Sequence, residues 1–190
     1  MRILIVGGVP GVGKTKFMRL LIEPLISAGV ARHGLLEYTT YRQINPVRQL
    51  IVLGKYGTDT FAGTDKLSMA VQPYAQTFIA KQMDLLDAPP VALEGDRLFN
   101  IPFIDLCREI GNEVKVLTLS ATPSVLAERR AARVAVVGKG QNQSWLNGRE
   151  TKVKNVSEFA HWRKLLEPVC VDTLEMAEAA AEKHRVWVLA

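Results

Sequence analysis

Residues 8–15 read Gly8-Val9-Pro10-Gly11-Val12-Gly13-Lys14-Thr15, matching G-x-x-x-x-G-K-[ST] at every position. An apolar run precedes the motif and a helical pattern follows it, the setting in which the motif binds a nucleoside triphosphate. Glycines let backbone N–H groups close around phosphates without side-chain obstruction, and the following helix turns its positive end to the same point. Lys14 is expected to reach the β- and γ-phosphates and the Thr15 hydroxyl to bind magnesium. The nucleotide-binding candidates are Gly8, Val9, Pro10, Gly11, Val12, Gly13, Lys14, Thr15 and Lys16.

A second acidic site is Glu94-Gly95-Asp96-Arg97, at the end of a short apolar run. Open parallel sheets bind ligands at strand C-termini, so a carboxylate here can hold magnesium opposite Thr15. Asp96 is the first choice and Glu94 the second, with Arg97 set to bind donor or acceptor phosphate. The plainer reading is a strand-end turn with a surface ion pair. Further on, Arg129 and Arg133 are spaced i, i+4 and share a helix face. Phosphoryl transfer needs such cations, because charge spreads over the transferred oxygens. Gly138, Gly140 and Gly148 follow and allow hinging, so residues 134–154 read as a mobile lid.

These groups need a scaffold, and the periodicity supplies one. Strand and helix patterns alternate, which predicts an α/β fold: a doubly wound, parallel, five-stranded sheet in a single domain over 1–190. Strands are expected at 3–6, 34–39, 91–93, 114–119 and 185–189, with 48–53 a further short strand or an insertion. Helices are expected at 13–28 (bent by Pro24), 72–87, 101–110, 123–134, 155–166 and 173–184, and 136–154 reads as a glycine-rich loop. Trp162 and Trp187 read as core residues.

Composition narrows the classes. The chain has 190 residues, 48% hydrophobic and 23% charged, as in an ordinary globular protein. No apolar run approaches the roughly 20 residues that span a bilayer. The apolar start 3–6 ends at Gly7-Gly8, too short for a signal peptide, so a cytoplasmic protein with no membrane partner is expected. Cys107 and Cys170 read as buried small hydrophobes rather than a disulfide. With His33, His161 and His184 they form no spaced zinc set. The net charge is +5, but from Arg129 to Lys164 nine basic residues face two acids, a local +7 against −2 for the rest. Such a block implies an anionic partner, either nucleotide phosphates or a nucleic-acid backbone, unless it is simply a solvated face.

From glycine loop to lid arginines the sequence resembles the P-loop nucleotide and nucleoside kinases, which enter their lid through a strand, a Thr-Pro turn and Glu-Arg followed by further arginines. The resemblance implies ATP as phosphoryl donor and Mg²⁺ as cofactor. A GTPase would carry Asn-Lys-x-Asp, and none is present. The acceptor side should lie within about 40–72. There Gly57-Thr58-Asp59-Thr60-Phe61-Ala62-Gly63-Thr64-Asp65-Lys66-Leu67-Ser68 packs two glycines and four hydroxyls into a structured loop. That segment and Gln141-Asn142-Gln143-Ser144-Trp145-Leu146-Asn147-Gly148-Arg149 are similar to bacteriophage kinases acting on 5-hydroxymethyluracil within DNA. Such kinases phosphorylate the hydroxymethyl group during base hypermodification, in the host cytoplasm.

With such an acceptor, Arg42, Phe61, Lys66, Trp145, Arg149, Lys152 and Lys154 are the candidates for acceptor and DNA binding, the aromatics by stacking and the cations along the backbone. A neutral alcohol gains from a positioned carboxylate, for which Asp65 and Glu37 are the candidates. Asp65 also reads as a helix cap, Phe61 as core and Trp145 as lid packing. Thr39-Thr40-Tyr41-Arg42-Gln43 is similar to a strand-end segment of phage polynucleotide kinase, but threonine stands where that enzyme carries its aspartate base. Two alternatives stay open: a kinase of free deoxynucleoside monophosphates or nucleosides, and a nucleic-acid-stimulated ATPase.

Overall fold

The computed structural model describes residues 1–56, 62–138 and 140–190. Seven strands form one sheet: β1 (Arg2–Gly8), β2 (Ile26–His33), β3 (Leu36–Gln43), β4 (Arg48–Leu53), β5 (Val91–Glu94), β6 (Glu113–Ser120) and β7 (Leu166–Cys170). Their order is β2-β3-β4-β5-β1-β6-β7. The sheet is thus larger than the five strands expected from sequence. Five strands, β4-β5-β1-β6-β7, do run parallel, while β2 and β3 extend them as an antiparallel hairpin.

The core follows from β1. Its apolar residues are buried on both faces, as central parallel strands require. Ile3 and Ile5 pack with Phe78 and Ile79 of α2 (Gln72–Met83), Phe103 of α3 (Ile101–Glu109) and Val156 of α5 (Gln143–Trp162). Leu4 and Val6 point the other way, onto Phe17 and Leu21 of α1 (Lys14–Ile22) and Ala177 and Ala181 of α6 (Leu174–Leu189). Each fully buried Leu or Ile contributes about 1.5–3 kcal/mol. α4 (Pro123–Val137) has no buried residue and is free to serve the site rather than the core. None of the described helices is long and apolar enough to cross a membrane.

Three expected elements differ. The helix expected over 13–28 stops at Ile22, and 26–33 becomes β2. Pro24 cannot extend the helix, and Gly29 at φ 131° fits a register shift between β2 and β3. Segment 136–154 is largely helical rather than a loop. Gly138, at φ 72°, ends α4, and Asn142 starts α5 by accepting from Ser144 N (2.8 Å) and Trp145 N (3.3 Å). Residues 185–189 form the last turns of α6, and the last strand is β7 instead. Trp162 is 82% exposed and not core, while Trp187 is half-buried under Lys115 Nζ, 4.4 Å from its ring centre. Cys107 is buried but Cys170 is exposed.

Candidate active site

The site sits at the C-terminal ends of β1 and β5. Beyond Gly8 the chain turns through Gly11 (φ 89°) and Gly13 (φ 107°), backbone conformations that other residues rarely adopt. Gly13 precedes α1 without a side-chain cap, and the first turn carries no acid, so its N–H groups remain available for an anion. Lys14 Nζ donates to Gly8 O (2.8 Å) and Val9 O (3.3 Å), curled within the loop. Burial lowers its pKa, against the opposing charge of Glu94.

Thr15 Oγ1 donates to Glu94 Oε1 at 3.0 Å. Glu94 is almost wholly buried, and burial pushes its carboxyl up to about 7. The backbone around it leaves no room for side chains. A Cβ at Gly63 would fall 2.5 Å from Glu94 Oε1, and one at Gly95 would fall 2.7 Å from Thr64 Oγ1. Asp65, in a short 3-10 turn (Thr64–Lys66), accepts from the Asp96 N–H at 2.6 Å. Its carboxyl is raised above the ordinary range by burial and then by the charge of Asp96. Arg97 Nε reaches Leu67 O at 3.5 Å.

The arginines of α4 divide their work. Arg129 gives Nη1 to Val12 O (2.8 Å) and Nη2 to Val171 O (2.7 Å) and Asp172 O (3.1 Å). It therefore braces the glycine loop against the chain leaving β7, and every one of these partners is backbone. Arg130, which the i, i+4 argument passed over, donates Nε to Pro10 O (3.1 Å) and meets Glu150 at 3.4 Å. The signal was the Glu-Arg-Arg run itself, since adjacent arginines can straddle one loop. Arg133 lines the cleft.

The cleft has a volume of about 660 Å³, in the range of nucleotide-sized sites. It brings together Lys14, Thr15, Asp65, Glu94, Asp96 and Arg97 with Arg133 of α4 and Trp145 and Arg149 of α5. α5 leans over it: Arg149 Nη1 meets Asp96 Oδ2 at 2.9 Å, and Lys152 Nζ meets Asp96 O at 2.7 Å. Trp145 lies 5.3 Å from the Arg149 guanidinium.

Other candidates stand apart. Glu37 lies at the start of β3, paired with Arg32 (2.8 Å) and Lys55 (3.6 Å), and does not line the cleft. Arg42 pairs with Gln49 at the opposite end of the sheet, because β3 runs antiparallel. Lys154 faces Glu158 at 3.9 Å in solvent. Lys66 and Lys16 are exposed, and Phe61 lies outside the described residues. A larger groove of about 840 Å³, among Arg2, Arg48 and Leu86, opens at the other end of the sheet, away from these groups.

The donor set suits magnesium. Thr15, Glu94, Asp96 and Asp65 offer only oxygen, as a hard cation requires. Among the described residues no group of three His, Cys, Asp or Glu could hold a metal by itself.

A glycine loop at the end of β1, carboxylates at the end of β5 and an arginine-bearing helix over the cleft define a P-loop kinase. A family model described as P-loop Nucleotide Kinase3 matches residues 1–172, and the chain belongs to that family. No curated protein matches it. Membership points to nucleotide binding and ATP-dependent phosphotransfer.

Proposed function

We propose that the protein transfers the γ-phosphoryl group of ATP to the hydroxymethyl oxygen of 5-hydroxymethyluracil in DNA. The glycine loop and the first turn of α1 hold the donor phosphates, and Lys14 moves from the loop carbonyls to the β- and γ-oxygens. Thr15, Asp96 and Glu94 hold magnesium, which supplies neutralisation of the phosphate charge. Asp65 takes the proton of the acceptor hydroxyl as its oxygen bonds to phosphorus and the bond to the ADP oxygen breaks. Arg97 and Arg133 neutralise the charge on the transferred group.

The observation that carries this reading is Asp65. Its carboxylate lines the cleft beside the Asp96 N–H, 2.6 Å away, where it can take the proton that a neutral alcohol must lose and an anionic acceptor does not carry. Trp145 beside Arg149 offers a stacking surface for an extruded base, and the basic run offers contacts to a backbone. The guanidiniums of Arg97, Arg133 and Arg149 around one cleft favour a second reading, a kinase of free deoxynucleoside monophosphates.

The test offers γ-labelled ATP with hydroxymethyluracil DNA, ordinary DNA and free deoxynucleotides side by side. Label in the modified DNA alone is expected. Label in free monophosphates alone contradicts the proposal and supports the second reading. Phosphate release with no labelled acceptor points to an ATPase.

A further inference from the structure

Asp96 lines the cleft between the glycine loop and α5. Its Oδ2 accepts from Arg149 at 2.9 Å and its backbone carbonyl from Lys152 at 2.7 Å, with the same ammonium 3.9 Å from Oδ1. Both cations project from one face of α5, three residues apart. Both are partly withdrawn from water, and burial lowers the Lys152 pKa. A desolvated cation needs an anionic partner. Asp96 is that partner for Arg149, and its side chain lines the same cleft as Thr15 and Glu94.

We infer that this cluster is an exchange switch. Magnesium-nucleotide at the glycine loop and the α5 cations compete for Asp96. The released Arg149 and Lys152 then form the binding site for a phosphate ester of the acceptor. The inference rests on the reading of Asp96 as a magnesium carboxylate given above. A carboxylate engaged with a divalent ion attracts a guanidinium less, and a phosphate oxygen restores the charge-assisted hydrogen bond that Arg149 loses. Trp145, one turn earlier on α5, moves with Arg149 and brings its ring to the same acceptor. By linkage, donor and acceptor each tighten the other by the same factor.

Equilibrium binding of two probes tests this, an unmodified oligodeoxynucleotide and thymidine monophosphate, each with and without magnesium and β,γ-imido ATP. In the wild type the nucleotide should tighten at least one probe about fivefold or more, the range of ordinary coupling. Tightening of the oligonucleotide assigns a phosphodiester, and tightening of thymidine monophosphate a monoester. Asp96→Asn should bind that probe tightly without nucleotide, because Arg149 is already released. Arg149→Ala should bind the probe more weakly and the magnesium-nucleotide more tightly than the wild type.

Equal probe affinity of Asp96→Asn and wild type without nucleotide overturns the switch, as does unchanged nucleotide affinity in Arg149→Ala. Phosphoryl transfer to hydroxymethyluracil DNA in a protein lacking these differences overturns the switch alone. The differences without that transfer keep the switch and remove that acceptor.

Discussion

Thr15 and Glu94, 79 positions apart in sequence, share a hydrogen bond of 3.0 Å that ties the first turn of α1 to the end of β5. It fixes the spacing between the loop that receives donor phosphates and the carboxylates that face them. Around Glu94 the backbone of Gly63 and Gly95 closes so tightly that neither position has room for a side chain. The hydroxyl is thus held against the buried Glu94 carboxyl at the mouth of the glycine loop.

Thr15→Ala deletes that donor and leaves Glu94 without it. A fall in kcat of about 10²–10³ is expected, the scale for loss of one group that stabilises transition-state charge. Thr15→Ser should retain most activity. Magnesium titration of phosphoryl transfer checks both variants, and the alanine variant should need more metal for half-maximal rate.

Glu94 predicts how stability changes with pH. Its carboxyl is raised from 4.5 to about 7 in the folded protein, chiefly by burial. Between those values the folded chain binds more protons than the unfolded one, so stability falls as pH rises through the window. The slope from this residue approaches about 1.4 kcal/mol per pH unit at its steepest. Urea unfolding in magnesium-free buffer from pH 5 to 8 should show the decline, and Glu94→Gln should flatten it. An unchanged slope in the variant contradicts this account.

Arg129 braces the glycine loop through backbone carbonyls on two segments. Arg129→Ala leaves Val12 O and Val171 O without their charged donor, a loss of about 1.5–3 kcal/mol for hydrogen bonds to a charged group. ATP affinity should fall together with the melting temperature. Arg129→Lys should rescue little, because one ammonium cannot span carbonyls on both segments.

The two cysteines should differ in reactivity. Burial pushes the Cys107 thiol up to about 12, while Cys170 is exposed. A thiol reagent should label one cysteine in the native protein and two after denaturation. Rapid labelling of both in the native state contradicts the packing of α3 on the sheet.

The parts of the site carried by local sequence were legible. The glycine loop, its flanking strand and helix, and the Glu94–Arg97 turn are each contiguous in sequence, and the fold brings them to one cleft. What was missed depended on tertiary context. β2 has the composition of a helix tail, and its strand state comes from pairing with β3. The 136–154 segment looked like a loop because of its glycines, but Gly148 lies inside α5 with nothing within 4 Å of an added Cβ. The spacing of Arg129 and Arg133 marked a shared face, yet the guanidiniums that bond the glycine loop belong to Arg129 and Arg130. Arg42 lay close in sequence to Glu37, but the antiparallel run of β3 carried it to the far end of the sheet.

The most direct test of the central claim is the position of the transferred phosphate. Hydroxymethyluracil DNA is incubated with ATP, magnesium and the protein, then digested to nucleosides with a nuclease that spares phosphate on the base, and the products are weighed by mass spectrometry. The account predicts 5-(phosphoryloxymethyl)deoxyuridine, formed by the wild type and reduced about 10²-fold or more in Asp65→Asn, the scale of a lost general base. Phosphate recovered only at DNA 5′ ends or on free nucleotides, or an Asp65→Asn protein as active as the wild type, would contradict it.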